Sequence, residues 1–212
     1  MQLREPISAG THLLGAIAAF IGGIYLMCSC DGSWLAVSGI LVYSLAMTAL
    51  FLVSGLLHGL NCKEETLVKL ERFDYAGIYL FIAGTYTPVF LRVMPGSFGQ
   101  SLLISEWVLA FIGIWLSLAY GPTHRKLQVF IFLSMGWAFA IAIPSLFNAL
   151  SAVSFNMLLL GGVFYSVGAV IFALDWPHLK PVRVSAHDVW HVLVLLGSGA
   201  HYAMVWHVVA NT

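Results

Sequence analysis

Long stretches without charge constrain this chain more than any other feature of its sequence. Asp, Glu, Lys and Arg are absent between Glu5 and Asp31, between Asp31 and Lys63, and between Asp74 and Arg92. They are absent again between Glu106 and Arg125, between Lys126 and Asp175, and after Asp188. A bilayer crossing needs about 17–25 predominantly apolar residues as a helix. Five of the stretches fit one crossing each. The stretch 127–174 fits two, with a break where Pro144, Ser145, Asn148, Ser151, Ser154 and Asn156 cluster. The expectation is an all-α, seven-transmembrane helix bundle forming a single domain over 1–212. The short alternating strands of a membrane barrel are missing.

Composition closes off the other classes. Hydrophobic residues make up 60% of the 212 and charged residues 8%, against about 45–50% and about 25% in soluble domains. Nine basic and nine acidic residues leave no net charge to attract a polyanion, so no nucleic-acid partner is expected. No soluble domain is expected before residue 6 or after residue 210. The first span lacks a basic leader and a small-residue cleavage site, so it reads as a mature span. Cys28, Cys30 and Cys62 read as small apolar fillers rather than a disulfide framework.

Charge asymmetry predicts the orientation. Arg4, Lys63, Lys69, Arg72, Arg125, Lys126, Lys180 and Arg183 fall on one side of the seven spans, and Arg92 alone on the other. The positive-inside rule then places the N-terminus in the cytoplasm and the C-terminus outside.

Polar groups are costly within a membrane and mark functional sites. Five side chains fall near one depth, on the cytoplasmic side. Ser54 and His58 close span 2, Asp74 opens span 3, and His187 and His191 open span 7. His187 and His191 are four residues apart and share a helix face. Eight histidines produce such a pair by chance in roughly one chain in four, so the pair alone is weak evidence. The common depth of His58, Asp74, His187 and His191 adds weight. Three neutral imidazoles suit Zn2+ with an open fourth position, the arrangement that activates water. Asp74 is expected to accept the proton of that water, and Ser54 to hydrogen-bond a water or a substrate carbonyl. The competing reading is a set of polar residues at helix interfaces.

Glu5, Ser8 and His12 form a stripe on span 1. It reads either as an interfacial helix start or as a support for the metal site, with Glu5 and His12 behind the ligands. Asp188 is either a second support or a partner for a loop cation. His124 and His178 are expected in solvated loops, His201 as a hydrogen-bonded packing residue, and His207 in an aromatic belt beside Trp206. Asp175 and Glu106 read as span-boundary charges. Gly161, Gly162 and Gly168 read as packing residues.

These residues resemble the bacterial hemolysin III family, relatives of the progestin and adipoQ (adiponectin) receptors. The resemblance runs over nearly the whole chain. It includes Glu5-Pro6-Ile7-Ser8-Ala9-Gly10-Thr11-His12, Ser54-x-x-x-His58 and Asp74-x-x-x-Ile78 through Pro88. It ends with His187-x-x-Trp190-His191 and Leu196 through Tyr202. It implies a seven-helix fold with a cytoplasmic N-terminus and a zinc ion on His58, His187 and His191. It also implies Asp74 near a zinc-bound water and Ser54 beside the site. The wider superfamily includes alkaline ceramidases, so hydrolysis of a lipid amide or ester is the implied reaction, at the bacterial inner membrane. Two positions depart from the pattern. Tyr75 stands where a histidine is usual, and Ser8 where asparagine is common. A non-enzymatic, zinc-stabilised protein of lipid homeostasis is the alternative. An ion pathway ranks last, because the polar groups crowd at one end.

Overall fold

The computed structural model describes residues 3–122, 125–176 and 184–210. His124, His178, Lys180 and Arg183 lie outside the described residues, as does the side chain of Arg125. The described chain is helical nearly throughout: α1 (Pro6–Ser29), α2 (Trp34–Gly59), α3 (Glu64–Val93), α4 (Ser97–Tyr120), α5 (Arg125–Gly136), α6 (Ile143–Ala149), α7 (Ala152–Leu174) and α8 (Ala186–Ala210). Among the described residues, seven segments are long and apolar enough to cross a membrane. α5, a short 3₁₀ turn at Ala138–Ala142 and α6 together make the fifth span.

The ends follow local chemistry. Pro6 sits in the first turn of α1, where no backbone donor is lost. Ser33 caps α2 by accepting from the Ala36 N–H at 3.4 Å, and Ser151 caps α7 by accepting from the Ser154 N–H at 3.1 Å. α7 ends at Asp175, which adopts a left-handed conformation with φ of 50°. The break between the fifth and sixth spans therefore falls at Leu150–Ser151, inside the predicted cluster. Pro144 does not mark that break. It lies in the first turn of α6, within the fifth span.

Two expectations about charge need correction. Opening the third span at Asp74 leaves Lys63–Arg72 outside it, as the loop between the second and third spans. From Glu64 on that segment is instead the first turns of α3, with Lys63 as its N-cap, so Asp74 lies ten residues inside the helix. Glu64 and Glu65 occupy the first turn, where carboxylates complement the helix dipole. Glu106 is not a span boundary. It lies within α4 at 2% exposure, and its Oε2 has no hydrogen-bond partner among the described residues. The bundle interior, rather than lipid, takes this carboxyl, so it does not interrupt the span.

α1 to α4 pack in succession. α8 packs on both α1 and α7, and α5 closes the bundle between α7 and α3. Lipid supplies little hydrophobic drive for such packing, so close fit decides it. Gly113 on α4 illustrates the fit, since a Cβ there would meet the Tyr79 ring of α3 at 2.4 Å. Gly168 of α7 faces the Trp190 ring of α8, where a Cβ would stand 2.8 Å away, as its reading as a packing residue requires. The core joins Tyr43 and Phe51 of α2, Phe81 of α3 and Met204 of α8. Cys28, Cys30 and Cys62 are free thiols, and Cys28 and Cys62 are exposed rather than packed as fillers.

Candidate metal centre

The last turns of α2 and the first turns of α8 end at the same side of the bundle. α2 brings Ser54 and His58 there, four residues apart, and α8 brings His187 and His191 at the same spacing. One ring nitrogen from each of His58, His187 and His191 falls within 4.8 Å of the others. The facing atoms are Nε2 throughout. His187 Nε2 is 3.3 Å from His58 Nε2 and 2.9 Å from His191 Nε2. Three imidazole nitrogens aimed at one point are the donor set of a metal site, and they fit a borderline cation such as zinc.

Neighbouring groups orient those rings. His58 Nδ1 donates to Glu5 Oε2 at 2.8 Å, which leaves Nε2 with a lone pair for a ligand bond. The Glu5 N–H also donates to the His58 carbonyl at 2.9 Å, so one residue grips both ring and backbone. Ser8 donates to Asp188 Oδ1 at 2.7 Å. His12 Nε2 donates to the His191 carbonyl at 3.4 Å, and its ring lies 3.9 Å from that of His191. The α1 stripe thus faces the bundle interior. His12 stands beside the three-nitrogen cluster and is not part of it.

Asp188 also begins α8. Its Oδ2 accepts from the Ser185 N–H at 2.8 Å and from Ser185 Oγ at 2.7 Å. In return its N–H donates to Ser185 Oγ at 3.1 Å. This is a reciprocal capping box, and it fixes the turn that carries His187. The Ser185-x-x-Asp188 spacing was the sequence signal for it. The other end of the bundle holds a smaller polar group. Arg92 there donates to Asp31 Oδ2 at 2.9 Å and to Ser33 Oγ at 3.0 Å.

A cavity of about 480 Å³ runs inward from the cluster. Ser54 and Asp74 line it with the three histidines, and the Ser54 hydroxyl is within hydrogen-bonding reach of the Asp74 carboxylate. Tyr75 also lines it, with its ring 6.2 Å from that of Phe132. The cavity becomes apolar with depth, along Leu50, Ile78, Phe81 and Ile82. His201 lies far from the cluster and donates to the Leu158 carbonyl at 3.1 Å, as a packing histidine would. It also lines the deep end of the cavity, as do Tyr86 and Tyr165. These three were not singled out as cavity residues, because only the tertiary fold brings them together. His207 lies against Trp206, with ring centroids 4.9 Å apart.

Comparison with known proteins finds relatives that match the chain over nearly its whole length. The sequence model of a family described as "Haemolysin-III related" matches residues 2–202. The Hemolysin-3 homolog of Bacillus subtilis is 34% identical over 204 residues, covering 96% of this chain and 92% of that protein. Hemolysin-3 of Bacillus cereus is 37% identical over 212 residues, covering 99% and 93%. An adiponectin receptor protein of Drosophila melanogaster is 25% identical over 213 residues, covering 91% of this chain and 48% of the receptor.

Proposed function

The chain belongs to the Haemolysin-III related family, and from that premise and its three-histidine centre we propose a zinc-dependent membrane hydrolase acting on a lipid amide or ester. The observation that carries the reading is the convergence of three Nε2 atoms on a cavity that also holds Asp74 and Ser54. His58, His187 and His191 hold the ion, and Glu5 orients His58. A zinc ion held there supplies a Lewis acid that polarises a carbonyl and activates water at neutral pH. Asp74 accepts the proton of the attacking water, and later returns it to the leaving group. Ser54 holds that water in place or donates to the oxygen on which negative charge develops. The apolar depth of the cavity takes the lipid tail. The excess of Lys and Arg at the histidine end supports a cytoplasmic N-terminus and a site opening to the inner leaflet of the bacterial inner membrane.

A second reading has its own support. Glu5 to His58, Ser8 to Asp188 and His12 to His191 strap α1 to α2 and α8. Such a clamp serves a non-enzymatic protein of lipid homeostasis equally well.

An Asp74→Ala variant separates the two. The purified variant should keep its metal and lose hydrolysis across a panel of bacterial lipids and N-acyl lipids. The loss should be roughly 10²–10⁴-fold, the range for a general base. Unchanged turnover would overturn the proposed mechanism. No turnover by metal-loaded wild type would leave the clamp.

A further inference from the structure

The deep end of the cavity and a second space share a set of lining residues. Thr85, Tyr86, Gly136 and His201 line the deep end, and the same four residues line a second, smaller chamber beyond. That chamber holds about 30 Å³ and is otherwise lined by apolar groups such as Val89, Phe139, Leu146 and Met204.

Both large residues of this set are held rigidly. The Tyr86 hydroxyl donates toward the Met135 and Gly136 carbonyls, at 2.8 and 3.0 Å, and accepts from the Phe139 N–H at 3.0 Å. Those backbone groups belong to the point where α5 gives way to the 3₁₀ turn, so Tyr86 satisfies atoms that the helix leaves open. The His201 ring is fixed by the Leu158 carbonyl. It fills the space over Gly161, where a Cβ would stand 2.1 Å from its Cδ2. At the side wall, Trp137 Nε1 donates to Ser166 Oγ at 2.9 Å and bridges α5's end to α7.

We propose that Tyr86 and His201 are the floor of an acyl-chain ruler, which limits the tail this cavity accepts. This deepens the hydrolase reading and rests on it. The ruler's length follows from helix geometry. His191 and His201 are ten residues apart on α8, and Asp74 and Tyr86 twelve apart on α3. At about 1.5 Å per residue the floor lies roughly 15–18 Å below the histidine cluster. A carbon chain with bonds of about 1.5 Å advances about 1.3 Å per carbon when extended, so roughly 12–14 carbons fit. A longer tail must fold back within the cavity or breach the floor.

Two substitutions move the floor in opposite directions. His201→Ala removes one half of the floor and opens the second chamber. Gly136→Leu raises the floor, because nothing lies within 4 Å of a Cβ built at Gly136. The probes are saturated fatty acids of 8 to 20 carbons, whose binding to the purified, metal-loaded protein is read by native mass spectrometry and needs no turnover. Wild type should bind chains up to about 14 carbons and weaken by roughly tenfold or more by 18 carbons. His201→Ala should shift that cut-off upward and Gly136→Leu downward, with metal content unchanged in both. A cut-off that is absent, or that neither variant moves, overturns the ruler. If fatty acids bind without a cut-off while lipid is still hydrolysed, the hydrolase reading survives the loss of the ruler. If wild type binds no fatty acid and hydrolyses no lipid, both fall together.

Discussion

Hydrogen-bonded charges join helices at both ends of this bundle, and the two groups differ in what they can do. At one end Asp31, Ser33 and Arg92 link the start of α2 to the end of α3. Arg92 Nη1 there meets two acceptors, one of them a carboxylate. At the other end three imidazoles turn their Nε2 atoms toward one another, while Glu5 and Asp188 hold the surrounding turns. Nitrogens crowded in this way can share one cation as ligands. The first arrangement is a staple and the second a candidate site. Matching polar groups at a helix junction therefore do not reveal function, whereas converging lone pairs do.

The largest effect expected from this contrast is on metal-linked stability. Zinc at a thousandfold excess over its dissociation constant should stabilise the wild type by about 4 kcal/mol, and a chelator should remove that gain. His187→Ala should abolish the response to zinc, as thermal unfolding in detergent would show. A zinc response that survives in His187→Ala would move the site elsewhere.

Glu5→Ala comes next. It removes the carboxylate from His58 Nδ1, and loss of such an outer partner weakens metal affinity by about 10–100-fold. Competition with a chromogenic chelator measures this. Unchanged affinity would reduce Glu5 to a helix-end contact.

Ser8→Ala removes one hydrogen bond between α1 and Asp188. It should cost about 1 kcal/mol of stability with metal stoichiometry intact. The unfolding midpoint and metal analysis of one preparation report both quantities.

The smallest effect belongs to the staple. Asp31→Asn should leave metal content unchanged and barely move the unfolding midpoint, because exposed ion pairs contribute little. The Ser33 N–H, then the Ser33 hydroxyl, then Arg92 hold the Asp31 carboxyl down at about 2, from an ordinary 3.8. With the folded value depressed, its contribution is complete above the ordinary value and disappears as pH falls through about 2. Wild type and Asp31→Asn should therefore differ slightly at neutral pH and converge only in strong acid, by unfolding midpoint against pH. Convergence near neutrality would contradict this.

Much of the fold was legible because charge is excluded from lipid, so its gaps mark the spans directly. The same reasoning failed where charge sits inside a helix. Lys63 to Arg72 looked like a loop, yet Glu64 and Glu65 make a good helix start. Glu106 looked like a boundary, yet it is buried against other helices. The convergence of His58, His187 and His191 could be reasoned from depth, since each lies near a span end. The direction of the Glu5, Ser8 and His12 stripe could not, because helical spacing defines a face without saying what it meets. The cavity floor was the least accessible. Tyr86 and His201 lie on α3 and α8 and meet only through tertiary packing.

The most direct test of the metal centre is elemental analysis of purified wild type and His191→Ala, prepared in parallel without added metal or chelator. About one zinc per chain in the wild type and none in the variant is the expected result. A wild type that holds no metal, or a variant that keeps it, would contradict a centre built on His58, His187 and His191.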